Sequence, residues 1–100
     1  MYYIVLMKSI TWNNEKNIWL KENRDICFED ILYYLENGCL VTDIEHPNKF
    51  KYQNQRIFVL NILDYIYLVP YVESEEEIFL KTIIPSRKAT REFLGEQNGK

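Results

Sequence analysis

Apolar positions recur with two different periods along this chain, and each change of period marks a boundary between elements. From Tyr2 to Ile10 the run YYIVLMKSI is almost continuously apolar, which predicts an N-terminal strand. Trp12-Asn13-Asn14 interrupts it, and Asn13 is placed to cap a short helix running through Lys16, Trp19 and Leu20 to about Asn23. A second helix follows, because Phe28, Ile31, Leu32 and Leu35 fall at i, i+3, i+4 and i+7 and line one face. Glu29 and Asp30 occupy its first turn, where the helix dipole favours acid. Gly38, one past Asn37, suits a left-handed stop.

Beyond Gly38 the pattern is that of strands. Leu40-Val41-Thr42 starts one and His46-Pro47-Asn48 marks a loop. The segments Ile57 to Ile62, Tyr65 to Val69 and Ile78 to Ile84 are rich in β-branched and aromatic residues. The first two are separated only by Leu63-Asp64, as in a hairpin, and an acidic connection from Glu73 to Glu77 leads to the third. Pro70 cannot donate to a ladder, so it is expected at a strand end or on an exposed edge. A last helix is predicted from Arg87 to Leu94, with Ser86 as N-cap and Gly95 as stop. The expected fold is a single α+β domain over residues 1–100. It has an N-terminal strand and two helices, then an antiparallel meander of three or four strands, then a C-terminal helix, with the helices on one face of the sheet.

Composition narrows the class. Hydrophobic residues make up 47% and aromatics 15%, with 3 Gly and 3 Pro, which excludes disordered and low-complexity chains. The net charge of -3 disfavours broad affinity for nucleic acid, so any RNA contact has to come from a local cationic cluster. The apolar start MYYIVLM is too short to span a membrane and has neither the basic region nor the cleavage site of a signal peptide. If helix lies between Cys27 and Cys39, the two thiols are beyond disulfide reach, which fits a reducing cytoplasm. With one histidine and no C-x-x-C spacing, neither a zinc site nor any other cofactor is expected.

The sharpest chemical feature is the segment IIPSRKATREFL. Arg87 and Lys88 occupy the first turn of the last helix, and Arg91 lies one turn on. Cations there oppose the helix dipole, and together with the free N–H groups they would make an anion site suited to phosphate. The alternative is that they pair with the acidic residues Glu73 to Glu77 or with a partner protein. Lys81 interrupts an apolar strand; it either guards an edge against aggregation or points into a cleft. In DIEHPNKFKYQNQR, His46 is a candidate general base or a plain loop residue. Lys51 or Arg56 would steady a developing phosphorane charge, and Phe50 and Tyr52 are either base-stacking rings or core anchors.

Several of these stretches resemble the BrnT family of type II toxins, within the RelE-like superfamily. ITWNNEKNIWLKENRDICFEDIL looks like the opening of that family, with Lys16 twelve residues before Phe28, and SRKATREFL resembles its C-terminal Arg-Lys-Ala-Thr helix. Met7-Lys8 aligns with the usual family start, which implies that Met1 to Leu6 is an extension. The resemblance implies a RelE-like fold whose sheet carries an RNA-cleaving face, using Lys, Arg and aromatic residues without a metal. It also implies a cognate antitoxin, often with a ribbon-helix-helix domain, and repression of their own operon by the complex. Arg87 and Lys88 match the family motif, with Lys16 and Trp12 as companions. Leu20, Asn23-Arg24-Asp25, Cys27 and Thr82 depart from it.

Three readings result. The first is a cytoplasmic endoribonuclease toxin with Arg87, Lys88, Lys81 and His46 as catalytic groups and Lys51, Arg56, Arg91 and Lys16 as RNA contacts. The second is a non-catalytic protein of the same fold acting through antitoxin binding and co-repression, with Trp19, Tyr33 and Tyr34 as contact residues. The third is a plain RNA-binding domain.

Overall fold

Asn13, Ser86 and Gly38 act as the caps that the sequence predicts. The computed structural model describes residues 8–98. Strand β1 (Ser9–Trp12) leads into helix α1 (Asn14–Arg24), whose first turn is closed by Asn13, its Oδ1 accepting from the Lys16 N–H at 2.8 Å. The Tyr2–Met7 part of the expected strand lies outside the described residues, as does the expected extension Met1–Leu6. Helix α1 ends at Asp25, which is left-handed (φ 57°). Helix α2 (Phe28–Glu36) begins with a reach-back: the Asp30 carboxylate accepts from the Cys27 N–H at 3.0 Å. It ends at Gly38, whose φ of 80° lets the Cys39 N–H close onto the Tyr34 carbonyl at 3.0 Å.

Four strands then form the meander: β2 (Leu40–Glu45), β3 (Gln55–Ile62), β4 (Tyr65–Glu73) and β5 (Glu77–Leu80). A two-residue strand β6 (Ile84–Pro85) follows, then helix α3 (Arg87–Asn98). The sheet order is β1-β5-β4-β3-β2, with β6 beside β4. The meander is antiparallel throughout, but β1 joins β5 in parallel, Ser9 to Trp12 opposite Glu77 to Leu80, so the sheet is mixed.

The helices do not share one face, contrary to expectation. Leu20 of α1 and Phe28, Ile31 and Leu35 of α2 pack on Phe58, Leu60, Val69, Tyr71 and Leu80. Ala89 and Leu94 of α3 pack on the opposite face, against Ile57, Val59 and Ile66. The reason is written in β3, where Ile57-Phe58-Val59-Leu60 are all buried and successive side chains point to opposite faces. A sheet apolar on both sides needs cover on both.

Three further expectations are corrected. Pro70 lies inside the central strand β4, opposite Ile57, not at an edge. It is accommodated because its β5 neighbour is bulged: Leu80 pairs with Tyr71 and Ile84 with Leu68, so Lys81 to Ile83 oppose only two residues. The Lys81 N–H still bonds the Pro70 carbonyl at 2.8 Å, and the missing proline N–H falls where the ladder is already broken. The same bulge divides the expected strand Ile78–Ile84 into β5 and β6. Finally, Gly95 does not stop α3; the helix continues to Asn98, with the glycine lying within it. Among the described residues, no helix is long and apolar enough to cross a membrane.

Candidate functional site

The bulge at Lys81–Ile83 is where distant parts of the chain meet. β1 ends at Trp12 opposite Leu80, so past that point no described strand covers the side of β6. Helix α1 passes there, and Arg24 donates from Nη1 to the Ile83 carbonyl. The same guanidinium stands 5.1 Å from the centre of the Trp19 ring, and the Lys16 ammonium is 4.5 Å from it. Lys16 and Trp19 are one helical turn apart, so the sequence spacing already makes them neighbours. Trp19 keeps 42% of its surface exposed, an unusual state for so large a ring on a helix.

Four residues beyond Ile83 comes α3, so Arg87 lies within about 14 Å of the carbonyl that Arg24 holds, by chain length alone. The start of α3 is fixed to the sheet. The Ser86 N–H donates to the Ile66 carbonyl at 3.0 Å, and the Ser86 Oγ caps the helix by accepting from the Ala89 N–H at 3.0 Å. The Thr90 hydroxyl donates to the Ser86 carbonyl at 2.7 Å and accepts from the Ile66 N–H at 2.9 Å. The cations Arg87 and Lys88 are therefore carried by an anchored turn, and both are exposed.

Charge pairing separates this group from the other cations except Lys51, which likewise has no acidic partner among the described residues. Lys8, Lys21, Lys49 and Arg56 are held by Glu73, Asp25, Glu45 and Asp43 respectively. Lys16, Arg24, Lys81, Arg87, Lys88 and Arg91 have no acidic partner among the described residues. The pairing considered above, between the α3 cations and Glu73 to Glu77, is absent among them. Of these six, Lys16 and Arg24 lie on α1 over one face of the sheet, Arg87, Lys88 and Arg91 on α3 over the other, and Lys81 in the bulge that precedes β6. Lys81, exposed, approaches only the Phe79 ring, at 5.7 Å.

The remaining predicted residues lie elsewhere. His46, Lys51 and Arg56 belong to the β2–β3 connection and the start of β3, on the far side of β4 from the bulge. His46 packs on Tyr52, ring centres 4.2 Å apart, and its Nδ1 accepts from the Asn48 N–H at 3.1 Å. The Lys51 ammonium is 5.4 Å from the same tyrosine ring. Phe50 is 95% exposed and is not a core anchor. Trp12, the companion suggested by the resemblance, stacks on Phe28 at 5.4 Å and packs against the core.

Arg56 belongs to a network the sequence does not disclose. Its Nε donates to Asp43 Oδ1 at 2.9 Å and its Nη2 to the Asp43 carbonyl at 3.0 Å, while the Tyr71 hydroxyl donates to Asp43 Oδ2 at 2.6 Å. Burial, and then the hydrogen bond to Asp43, push the Tyr71 hydroxyl well above its ordinary range, and Asp43 keeps Arg56 more firmly protonated. Asn17 is the other residue missed. Buried in α1, it donates to Glu29 at 2.8 Å, holding that carboxyl below its usual range, and accepts from the Phe28 N–H at 2.7 Å. No three His, Cys, Asp or Glu side chains among the described residues are grouped as a metal ion would require.

Compared with protein-family models, curated proteins and solved structures, the chain matches none. Fold and surface together define a class only: an α+β protein with a six-stranded mixed sheet covered by helices on both faces, with cations on α1, the bulge and α3 that have no acidic partner among the described residues.

Proposed function

We propose that this chain is the toxin of a bacterial toxin–antitoxin pair and cleaves messenger RNA without a metal, using these cations of α1, the bulge and α3 as a band that contacts RNA. The observation that carries the reading is the band itself. In a protein of net charge -3, six cations without acidic partners among the described residues lie on α1, the bulge and α3, and two of them, Lys16 and Arg24, flank an exposed tryptophan. Cations attract the phosphates, and a ring beside them gives a base a surface on which to stack. Arg87 and Lys88 bind the scissile phosphate and Lys81 its neighbour. Lys16, Arg24 and Arg91 extend the contact along the strand. In this chemistry the ribose 2′-oxygen attacks the adjacent phosphorus and loses its proton. The 5′-oxygen leaves with a proton, and a cyclic phosphate remains. The band contributes alignment and charge stabilisation.

A second reading, binding and co-repression with an antitoxin but no cleavage, is favoured by one observation. His46, the chain's single histidine, lies across the sheet from the band, so no imidazole serves the phosphate there.

Induced expression separates the two, alone and beside the neighbouring small gene, with Arg87→Ala and Lys81→Ala as controls. Growth arrest with RNA cleavage, relieved by the neighbour and by either substitution, is the expected result. Arrest undiminished in both variants counts against the band. Normal growth with a stable co-purified complex supports the binding-only reading.

A further inference from the structure

Away from the cations of α1, the bulge and α3, an open cleft of about 610 Å³ lies between the β2–β3 connection and the end of β4. Its lining combines Tyr52, the amides of Gln53, Asn54 and Gln55, and Arg56, with Glu45, Lys49 and Glu73 at the sides. The charges at its sides cancel: Lys49 pairs with Glu45 at 3.0 Å, and Lys8 pairs with Glu73. Arg56 differs. Asp43 takes its Nε and Nη2 and the Tyr71 hydroxyl lies against the same guanidinium, which lines the cleft; neither bond to Asp43 uses Nη1.

The aromatic wall is held in place before any ligand arrives. The Tyr52 N–H donates to the Asn48 carbonyl at 3.0 Å and the Tyr52 carbonyl accepts from the Gln55 N–H at 3.2 Å. His46 packs on the ring, the Lys51 ammonium lies 5.4 Å from its centre, and the Asn48 side chain accepts from the Lys51 N–H at 3.1 Å. A left-handed Asn54 (φ 67°) then turns the chain into β3.

We infer that this cleft is a nucleotide subsite, in which Tyr52 stacks on a base, the Gln53 and Asn54 amides read its edge, and Arg56 Nη1 takes its phosphate. The inference rests on the RNA reading above and deepens it: the band grips the backbone, and the cleft selects which nucleotide enters. Amides offer donor and acceptor together, which is what discrimination between base edges requires. A carboxylate ligand would satisfy Arg56 but leave the ring and the amides unused.

The test is amide-resolved NMR titration of the full chain with AMP, GMP, CMP and UMP, and with inorganic phosphate alone. Saturable shifts at Tyr52 to Arg56 and Glu73, with one nucleotide preferred, are expected. Tyr52→Ala should weaken that binding about tenfold. Asn54→Gly keeps the left-handed backbone accessible and should erase the preference between bases. Equal shifts with phosphate alone would reduce the cleft to an anion contact and overturn the inference, as would nucleotide shifts confined to α1, the bulge and α3. Failure of the RNA reading looks different: nucleotides still bind in the cleft, while Arg87→Ala and Lys81→Ala leave RNA affinity unchanged.

Discussion

Arg24 and Ile83, 59 residues apart in sequence, are joined by a hydrogen bond from the guanidinium Nη1 to the main-chain carbonyl. This bond fixes the end of α1, and the Trp19 ring beside Arg24, to the bulge that follows β5. A carbonyl within a bulge lacks its regular ladder partner, so a charged donor there satisfies an otherwise costly group. Arg24→Met keeps the aliphatic stem and removes the donor. It should cost about 1–2 kcal/mol in urea unfolding. It should also lower the salt dependence of RNA binding by about one phosphate contact. Unchanged stability would mean that water replaces the guanidinium at no cost.

The β3–β4 turn offers a change in the opposite direction. Leu63 and Asp64 have φ of 54° and 67°, the left-handed pair that a two-residue hairpin requires, and Leu63 is 88% exposed. A leucine there strains its backbone against its own Cβ and exposes an apolar side chain to water. Leu63→Asn should stabilise the protein by about 1 kcal/mol, raising the melting temperature by about 4–8 °C in a chain of this size. A fall in melting temperature would show that Leu63 contributes a contact in solution.

Local chemistry was legible in the sequence, and pairing was not. Asn13, Ser86, Gly38 and the Leu63-Asp64 turn act within a few residues, so their roles follow from their neighbours alone. The interior position of Pro70 has no local signal, because what accommodates it is the bulge on the neighbouring strand, set by the register of β5 and β6 against β4. The parallel pairing of β1 with β5 joins segments more than sixty residues apart and has no local signature. The two-sided helix cover does have a local signal. Ile57 to Leu60 is a continuous apolar run, the mark of a strand buried on both sides. For the site, Arg87, Lys88 and Lys81 stood out as cations in unfavourable places. Arg24 did not, because its meaning depends on Ile83.

Asn17 tests how α1 and α2 are held together. At 9% exposure, its side chain accepts from the Phe28 N–H and donates to Glu29. The first N–H groups of a helix have no partner within it, so Asn17 provides one of the caps of α2 from another helix. Asn17→Ala leaves the Phe28 N–H orphaned beside a fully buried ring and should cost about 1–3 kcal/mol. Asn17→Asp keeps the acceptor but sets a carboxylate against Glu29, so it should recover stability as the pH falls and one of the two acids is protonated. Equal losses for both variants at every pH would rule out the hydrogen bond as the cause.

The Tyr71–Asp43 contact predicts how the fold fails in alkali. Tyr71 is 2% exposed, stacks on Phe58 with ring centres 4.0 Å apart, and donates to Asp43 at 2.6 Å. Burial first and the Asp43 bond second hold its hydroxyl protonated well above the ordinary value of 10.0. Below that value the folded and unfolded chains both keep the proton, and stability does not depend on pH through this group. Above it the unfolded chain releases the proton while the folded chain retains it. The unfolded state is therefore favoured, and stability falls by about 1.4 kcal/mol for each pH unit until the folded value is reached. Burial also raises the Cys27 thiol, so part of the alkaline decline belongs to that group, and the comparison has to be differential. Tyr71→Phe keeps the stacked ring and removes the titrating hydroxyl. Urea unfolding at a series of pH values from neutral to strongly alkaline should show the variant less stable than the parent at neutral pH. The gap should narrow as the pH passes ten. Parallel curves across the whole range would mean that the hydroxyl ionises as freely in the folded protein as in the unfolded chain.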